Sequence, residues 1–145
     1  MQESDFSLDE EISLIKQQGL NIGGLTSFLG NVRDVNNELV AMTLEYYPKM
    51  TEYSLQKISE EAKSRWEILA ITIIHRVGRL TKNDNIVLVI VASKHRKDAF
   101  QACEFIMDFL KTQAPFWKKE QTKTDEYWIQ ENKKDIEKLN TWSNK

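Results

Sequence analysis

Ile86-Val-Leu-Val-Ile-Val-Ala92 is the stretch on which the fold turns. An unbroken run of apolar, mostly β-branched residues leaves neither face of a strand for water, so it predicts a strand in the middle of a sheet covered on both sides. The turn-forming segment Lys82-Asn-Asp-Asn85 feeds the run. Ser93-Lys-His-Arg96 closes it, and a helical pattern follows from about Lys97 to Thr112.

Working outward, residues up to about Gln18 read as an acidic lead-in, helical or irregular. Leu25 to Val32 reads as a strand with an irregularity at Gly30. Leu39 to Tyr47 alternates, with Val40, Met42, Leu44 and Tyr46 facing one way, and Pro48 ends it. Thr51 is placed to cap a helix running to about Arg65. Leu69 to Val77 returns to strand, with His75 on the face of Ile71 and Ile73, and Gly78 stops it. Beyond Pro115, Phe116 to Gln121 and Glu126 to Ile129 pair as a hairpin around Thr122 to Asp125, and the charged tail from Asn132 is a short helix or frays. The layout predicts one domain over residues 1–145, of α+β class, with a mainly antiparallel or mixed sheet covered by two main helices plus a C-terminal hairpin.

Composition bounds the function. With 145 residues, 41% hydrophobic and 29% charged, the chain is long enough for one well-buried core. The run at Ile86 falls far short of the ~20 residues of a membrane helix, and the acidic amino terminus is unlike a signal peptide. These features predict a cytoplasmic protein with no membrane association. A net charge of −2 without a basic stripe argues against nucleic acid. Cys103 is the only cysteine, which excludes an internal disulfide and a cysteine-based zinc cluster. Its spacing with Phe100, Ile106, Met107 and Leu110 predicts a buried helix face, so the thiol reads as packing. The reading calls for no metal and no cofactor.

The chemistry is cationic. Lys111-Thr-Gln-Ala-Pro-Phe-Trp-Lys-Lys-Glu120 sets lysines on both sides of a proline that cannot continue the helix, so the chain turns between Lys111 and Lys118. Amines near other cations or apolar rings give up protons more readily and serve as general acids or bases. His95 and Arg96 stand at a helix start, where unpaired N–H groups and the dipole favour an anion. Arg33 follows the Gly30 irregularity at a strand end. Each also has a plainer reading: solvated charges at His95 and Arg96, a loose pair with Asp34 or Glu38 at Arg33, and a lysine favouring the helix dipole at Lys111. His75 reads as a satisfied sheet histidine, and Trp66, Trp128 and Trp142 as packing or interface residues.

Gly30-Asn-Val-Arg-Asp34, Leu44-Glu-Tyr-Tyr-Pro-Lys-Met-Thr-Glu52, Ile74-His-Arg-Val-Gly78, Ser93-Lys-His-Arg96, Ala99-Phe100, Phe105 to Thr112 and Ala114-Pro-Phe-Trp-Lys-Lys-Glu120 stand in one order over Gly23 to Trp128. Together they resemble the large catalytic subunits of molybdopterin synthase. The resemblance implies an α/β-hammerhead-type fold and a homodimer that becomes a heterotetramer with a small ubiquitin-like subunit carrying a thiocarboxylate on its C-terminal glycine. It implies conversion of cyclic pyranopterin monophosphate to molybdopterin by two sulfur insertions. It places the catalytic lysines on Lys111 and Lys118 and the substrate contacts on Asn31, Val32, Arg33, His95, Arg96, Lys111, Lys118, Lys119 and Glu120. A chain whose one cysteine is buried would then take sulfur from its partner. The competing reading is a non-catalytic module that binds a ubiquitin-like partner, with Lys111 pairing the tail carboxylate.

Overall fold

The computed structural model describes residues 1–34, 39–114, 116–122, 126–128, 137 and 139–142. The expected turn at residues 123–125, Pro115 and most of the tail from Asn132 lie outside them.

The apolar run forms β5 (Asn85–Ser93), buried from Ile86 onward. It pairs antiparallel with β1 (Gly24–Asn31) on one side and β3 (Ile68–His75) on the other, giving the order β1-β5-β3. Alternation sends its side chains to two cores. Leu88, Ile90 and Ala92 pack with Ile15 of α1 (Leu8–Lys16). Val87, Val89 and Val91 join the larger core with Ala102 and Ile106 of α3 (Arg96–Thr112) and Leu55 and Ile58 of α2 (Pro48–Arg65). α1 begins at Ser7, whose hydroxyl accepts from the Glu10 N–H at 3.3 Å, with Asp9, Glu10 and Glu11 at the positive end of the dipole.

A second sheet sits apart from the first. β4 (Gly78–Leu80), β2 (Leu39–Tyr46), β6 (Phe116–Thr122) and β7 (Glu126–Trp128) run antiparallel in the order β4-β2-β6-β7. Where a mainly antiparallel or mixed sheet was expected, the described residues form two antiparallel sheets, and the acidic lead-in, expected as helical or irregular, supplies α1 beside the two main helices α2 and α3. The α+β class holds, and the expected hairpin is present as β6 and β7.

Other departures have local causes. Pro48 opens α2, because a proline in the first turn gives up an N–H that needs no partner there, and Thr51 lies fully buried inside that turn instead of capping it. β4 is too short to announce itself: Gly78, at φ 82°, turns the chain after β3, and Leu80 then pairs with Met42. The register shift between Leu39 and Ala41 breaks the alternation of β2, so Ala41 and Met42 are both buried while Val40 is exposed. Phe100, expected on the buried stripe of α3, is exposed. The irregularity expected at Gly30 appears as a register shift between Gly30 and Asn31.

The start of β1 is pinned by close backbone contact. Gly23 donates to the Ser93 carbonyl at 2.9 Å, and a Cβ at this position would collide with the Lys94 carbonyl oxygen. Gly23→Ala should cost about 1–3 kcal/mol of stability in urea unfolding, as other overpacked sites do. An unchanged midpoint would mean that this turn yields freely.

Candidate active site

The antiparallel sheet sorts the candidate residues into two groups. Asn31 ends β1 and donates from its amide to Asn85 Oδ1 at 2.8 Å and the Asn83 carbonyl at 3.3 Å. The Val32 backbone exchanges bonds of 2.9 Å with Asp84 and Asn83, and its side chain is buried. This clamp sets where the chain leaves the sheet, and Arg33 emerges there exposed. α3 packs over β5 and β1 and runs back toward the same end, so Lys111, exposed in its last turn, belongs to the Arg33 end. Residues 113–115 alone separate α3 from β6, which places Lys118 just past one tight connection.

His75 lies at this end too, opposite Val87 at the start of β5. Its Nδ1 donates to the Arg76 carbonyl at 2.8 Å, and its ring lies 4.5 Å from that of Phe116. Burial pushes the imidazole down to about 4, against the pull of the Arg76 carbonyl bond, and the positive charge of Lys118 adds to the fall. His75 is thus a neutral group beside a candidate lysine. The sheet-packing reading captured its face, while its nearness to Lys118 depends on how the second sheet docks.

β6 divides its own residues. Lys118 is opposite Leu44 and Glu120 opposite Met42, both core positions, so these two share the inward face with Phe116. Lys119 is opposite Thr43 and points to the other face. Within one chain, Lys119 therefore does not share a pocket wall with Lys118 and Glu120, contrary to the expectation from adjacency.

His95 and Arg96 are elsewhere. His95 occupies the N-cap of α3 with an exposed side chain that makes no capping bond, and Arg96 is the exposed first helical residue. The Ser93 hydroxyl holds this turn, donating to the Glu67 carbonyl at 2.6 Å and accepting from the His95 N–H at 3.2 Å. Gly24 packs against the Arg96 backbone. The length of β1, at ~3.3 Å per residue, puts this turn roughly 20 Å or more from Arg33. The five cations of the expected constellation form two groups at opposite ends of β1, with Arg33, Lys111 and Lys118 at one and His95 and Arg96 at the other.

Burial pushes the Cys103 thiol up to about 11, with Glu104 adding to the rise, so the sulfur stays protonated and buried. A cleft of about 410 Å³ lined by Arg65, Trp66, Gln101 and Trp142 holds none of the candidate residues. Its polar groups are taken up internally: Trp66 Nε1 donates to Gln101 at 2.9 Å and Trp142 Nε1 to Asp108 at 2.6 Å. Trp66 and Trp142 pack edge-on with Phe105, as packing residues should.

The fold is a small α+β domain, and its candidate site residues are mostly lysine and arginine. Residues 1–113 match the MoaE protein family. The molybdopterin synthase catalytic subunit of Ralstonia nicotianae is 48% identical over 144 residues, spanning 98% of this chain and 82% of that protein. The molybdopterin biosynthesis MoaE protein of Burkholderia ambifaria superposes with a TM-score of 0.84 at 47% identity, over 98% of this chain and 95% of that one. A more distant structure, at 20% identity and a TM-score of 0.72 over 90% of each chain, shares the fold; it is a protein-protein complex of subunits 1 and 2 of molybdopterin-converting factor from Helicobacter pylori. The chain belongs to the MoaE family and is an enzyme of molybdopterin synthesis.

The His75 geometry predicts an acid-sensitive fold. A group whose folded value is depressed contributes fully above its unfolded value of ~6.5 and loses that contribution as pH falls toward its folded value. Stability should therefore drop as pH is lowered from 6.5 toward about 4. His75→Asn, which keeps a donor for the Arg76 carbonyl, should flatten this slope in urea melts. The same slope in variant and parent would assign the acid sensitivity to other groups.

Proposed function

We propose that this chain converts cyclic pyranopterin monophosphate to molybdopterin, taking two sulfurs from the C-terminal thiocarboxylate of a small ubiquitin-like subunit in the cytoplasm. The observation that supports the reading is the placement of Lys111 and Lys118 on either side of the short α3–β6 connection, with Arg33 emerging at the end of the sheet toward which α3 runs. An exposed ammonium on a rigid helix end is accessible to a flexible glycine tail, and a buried thiol leaves the tail as the source of sulfur. Lys111 stabilises or relays protons during attack of the thiocarboxylate. Lys118 orients the pterin and assists. Arg33, His95 and Arg96 take the phosphate, and Asn31, Val32, Lys119 and Glu120 line the site.

One protomer does not bring these groups together, so the reading requires a homodimer in which His95 and Arg96 of one protomer serve the Arg33 end of its partner. Lys119, facing away from Lys118 in its own chain, belongs to the surroundings of that shared site. With a small subunit bound to each protomer the assembly is a heterotetramer. A non-catalytic module would use Lys111 for a tail carboxylate but would have no need of Lys118 and the phosphate-type residues.

Single-turnover sulfur transfer from a thiocarboxylated small subunit tests the lysine roles. Lys111→Ala should lose nearly all turnover while keeping partner affinity, and Lys118→Ala should retain a weak rate. Lys111→Arg should not rescue, because guanidinium stays protonated. Substantial turnover in Lys111→Arg would reduce the lysine to a fixed positive charge.

Mixing inactive variants tests the shared site. In a dimer of one Lys111→Ala and one Arg96→Ala protomer, one site keeps both groups. Random reassortment should then restore about a quarter of parental sites, since half the dimers are mixed and each has one intact site of two. No recovery after verified subunit exchange would place both groups in one chain's site, or outside it.

A further inference from the structure

We infer that Asp5 is a positioning residue for the substrate site: through the side-chain amide of Asn85 it fixes Asn31, and with it the point at which Arg33 leaves the sheet. This inference rests on the reading above in which Arg33 takes the substrate phosphate. The amino-terminal segment is tied to the end of β3 by its backbone, where the Gln2 N–H donates to the His75 carbonyl at 3.0 Å and the Val77 N–H donates to the Gln2 carbonyl at 2.9 Å. Arg76, 14% exposed along its side chain, joins the same segment to β5. Its Nε donates to the Glu3 carbonyl at 3.1 Å and its Nη1 to the Asn85 carbonyl at 3.0 Å. Asp5 comes next, and its Oδ1 accepts from the Phe6 N–H at 2.8 Å while the Phe6 side chain packs against the α1 core. The carboxylate is thereby held where β5 begins.

What this placement does follows from donors and acceptors. Asn85 Nδ2 donates to Asp5 Oδ1 at 3.1 Å, and Asn85 Oδ1 accepts from Asn31 Nδ2 at 2.8 Å. An amide has a donor end and an acceptor end, whereas an ionised carboxylate only accepts. Asp5 therefore draws the NH2 of Asn85 to itself and turns the Asn85 oxygen toward Asn31. The bonds from the Phe6 N–H and from Asn85 hold the Asp5 carboxyl below its usual range, which keeps it an acceptor. Asn31 and Asn85 are cross-strand partners at the register shift that ends β1, where the ladder is irregular and a side-chain bond helps to set the exit. Val32 follows, bonded to Asp84 and Asn83, and Arg33 emerges exposed beyond it. The Asp5–Arg76 ion pair, at 3.9 Å with Asp5 exposed, adds little stability. The contribution of Asp5 is orientation.

The test uses the full chain with Asp5→Ala and with Asp5→Asn, which keeps an oxygen for Asn85. Calorimetry with cyclic pyranopterin monophosphate should show about fivefold weaker binding for Asp5→Ala, the worth of roughly one net hydrogen bond, and near-parental binding for Asp5→Asn. Sulfur transfer by Asp5→Ala at saturating precursor should keep the parental rate. Amide exchange at Val32 should quicken in Asp5→Ala and return to the parental rate in Asp5→Asn. Added to Arg33→Ala, the Asp5→Ala change should weaken binding no further, because both act through one side chain. Parental precursor affinity or parental Val32 exchange in Asp5→Ala, beside a weakened Arg33→Ala, would overturn the positioning role and leave the phosphate reading standing. A loss that Asp5→Asn fails to rescue would overturn the orientation argument in favour of charge. If Arg33→Ala binds the precursor as tightly as the parent, the phosphate reading falls and takes this inference with it.

Discussion

Burial of β5 on both faces is the constraint from which the rest of the molecule follows. An eight-residue stretch with no polar face, Ile86 to Ser93, must have strands on both sides and helices above and below. α1 covers one face, α2 and α3 cover the other, and the antiparallel neighbours β1 and β3 set two ends. Because α3 starts where β5 stops and packs back along it, the residues before and after this helix are held far apart. The helix thereby fixes the spacing of the chemistry as well as the core.

Much of this was legible in the sequence because it is local. The apolar run, the amphipathic face of α3 around Cys103, the turn at Asn83 with its φ of 71° and the β6–β7 hairpin all rest on short-range pattern and turn chemistry. What escaped was set by pairing at a distance. β4 has three residues, and only its docking on β2 makes it a strand. The division into two sheets and the exposure of Val40 both depend on registers that β2 makes with β6. Pro48 was read as a strand ending, although the same ring also opens a helix. Phe100 fits a helical stripe by spacing, but α3 turns it away from the core.

The site followed the same rule. Individual residues were recognisable from their types and motifs, and the resemblance put them in one pocket. Sheet geometry separates them: Arg33, Lys111, Lys118 and the neutral His75 share one end, His95 and Arg96 take the other, and Lys119 faces away from its neighbour. Adjacency in sequence places alternate residues on opposite sides of a strand, and an antiparallel sheet places the two flanks of a helix at opposite ends. Neither effect is visible in a list of basic residues. Both become useful if the proposed homodimer is the working unit, since symmetry exchanges the two ends.

The central claim is therefore one of assembly: the phosphate of the pterin substrate is held by two copies of the chain. A crystal structure of the protein with cyclic pyranopterin monophosphate bound tests it most directly. The account predicts the phosphate between Arg33 of one protomer and Arg96 of the other, with Lys111 and Lys118 of the first protomer facing the pterin. A phosphate held by a single protomer, or bound away from both arginines, would contradict it.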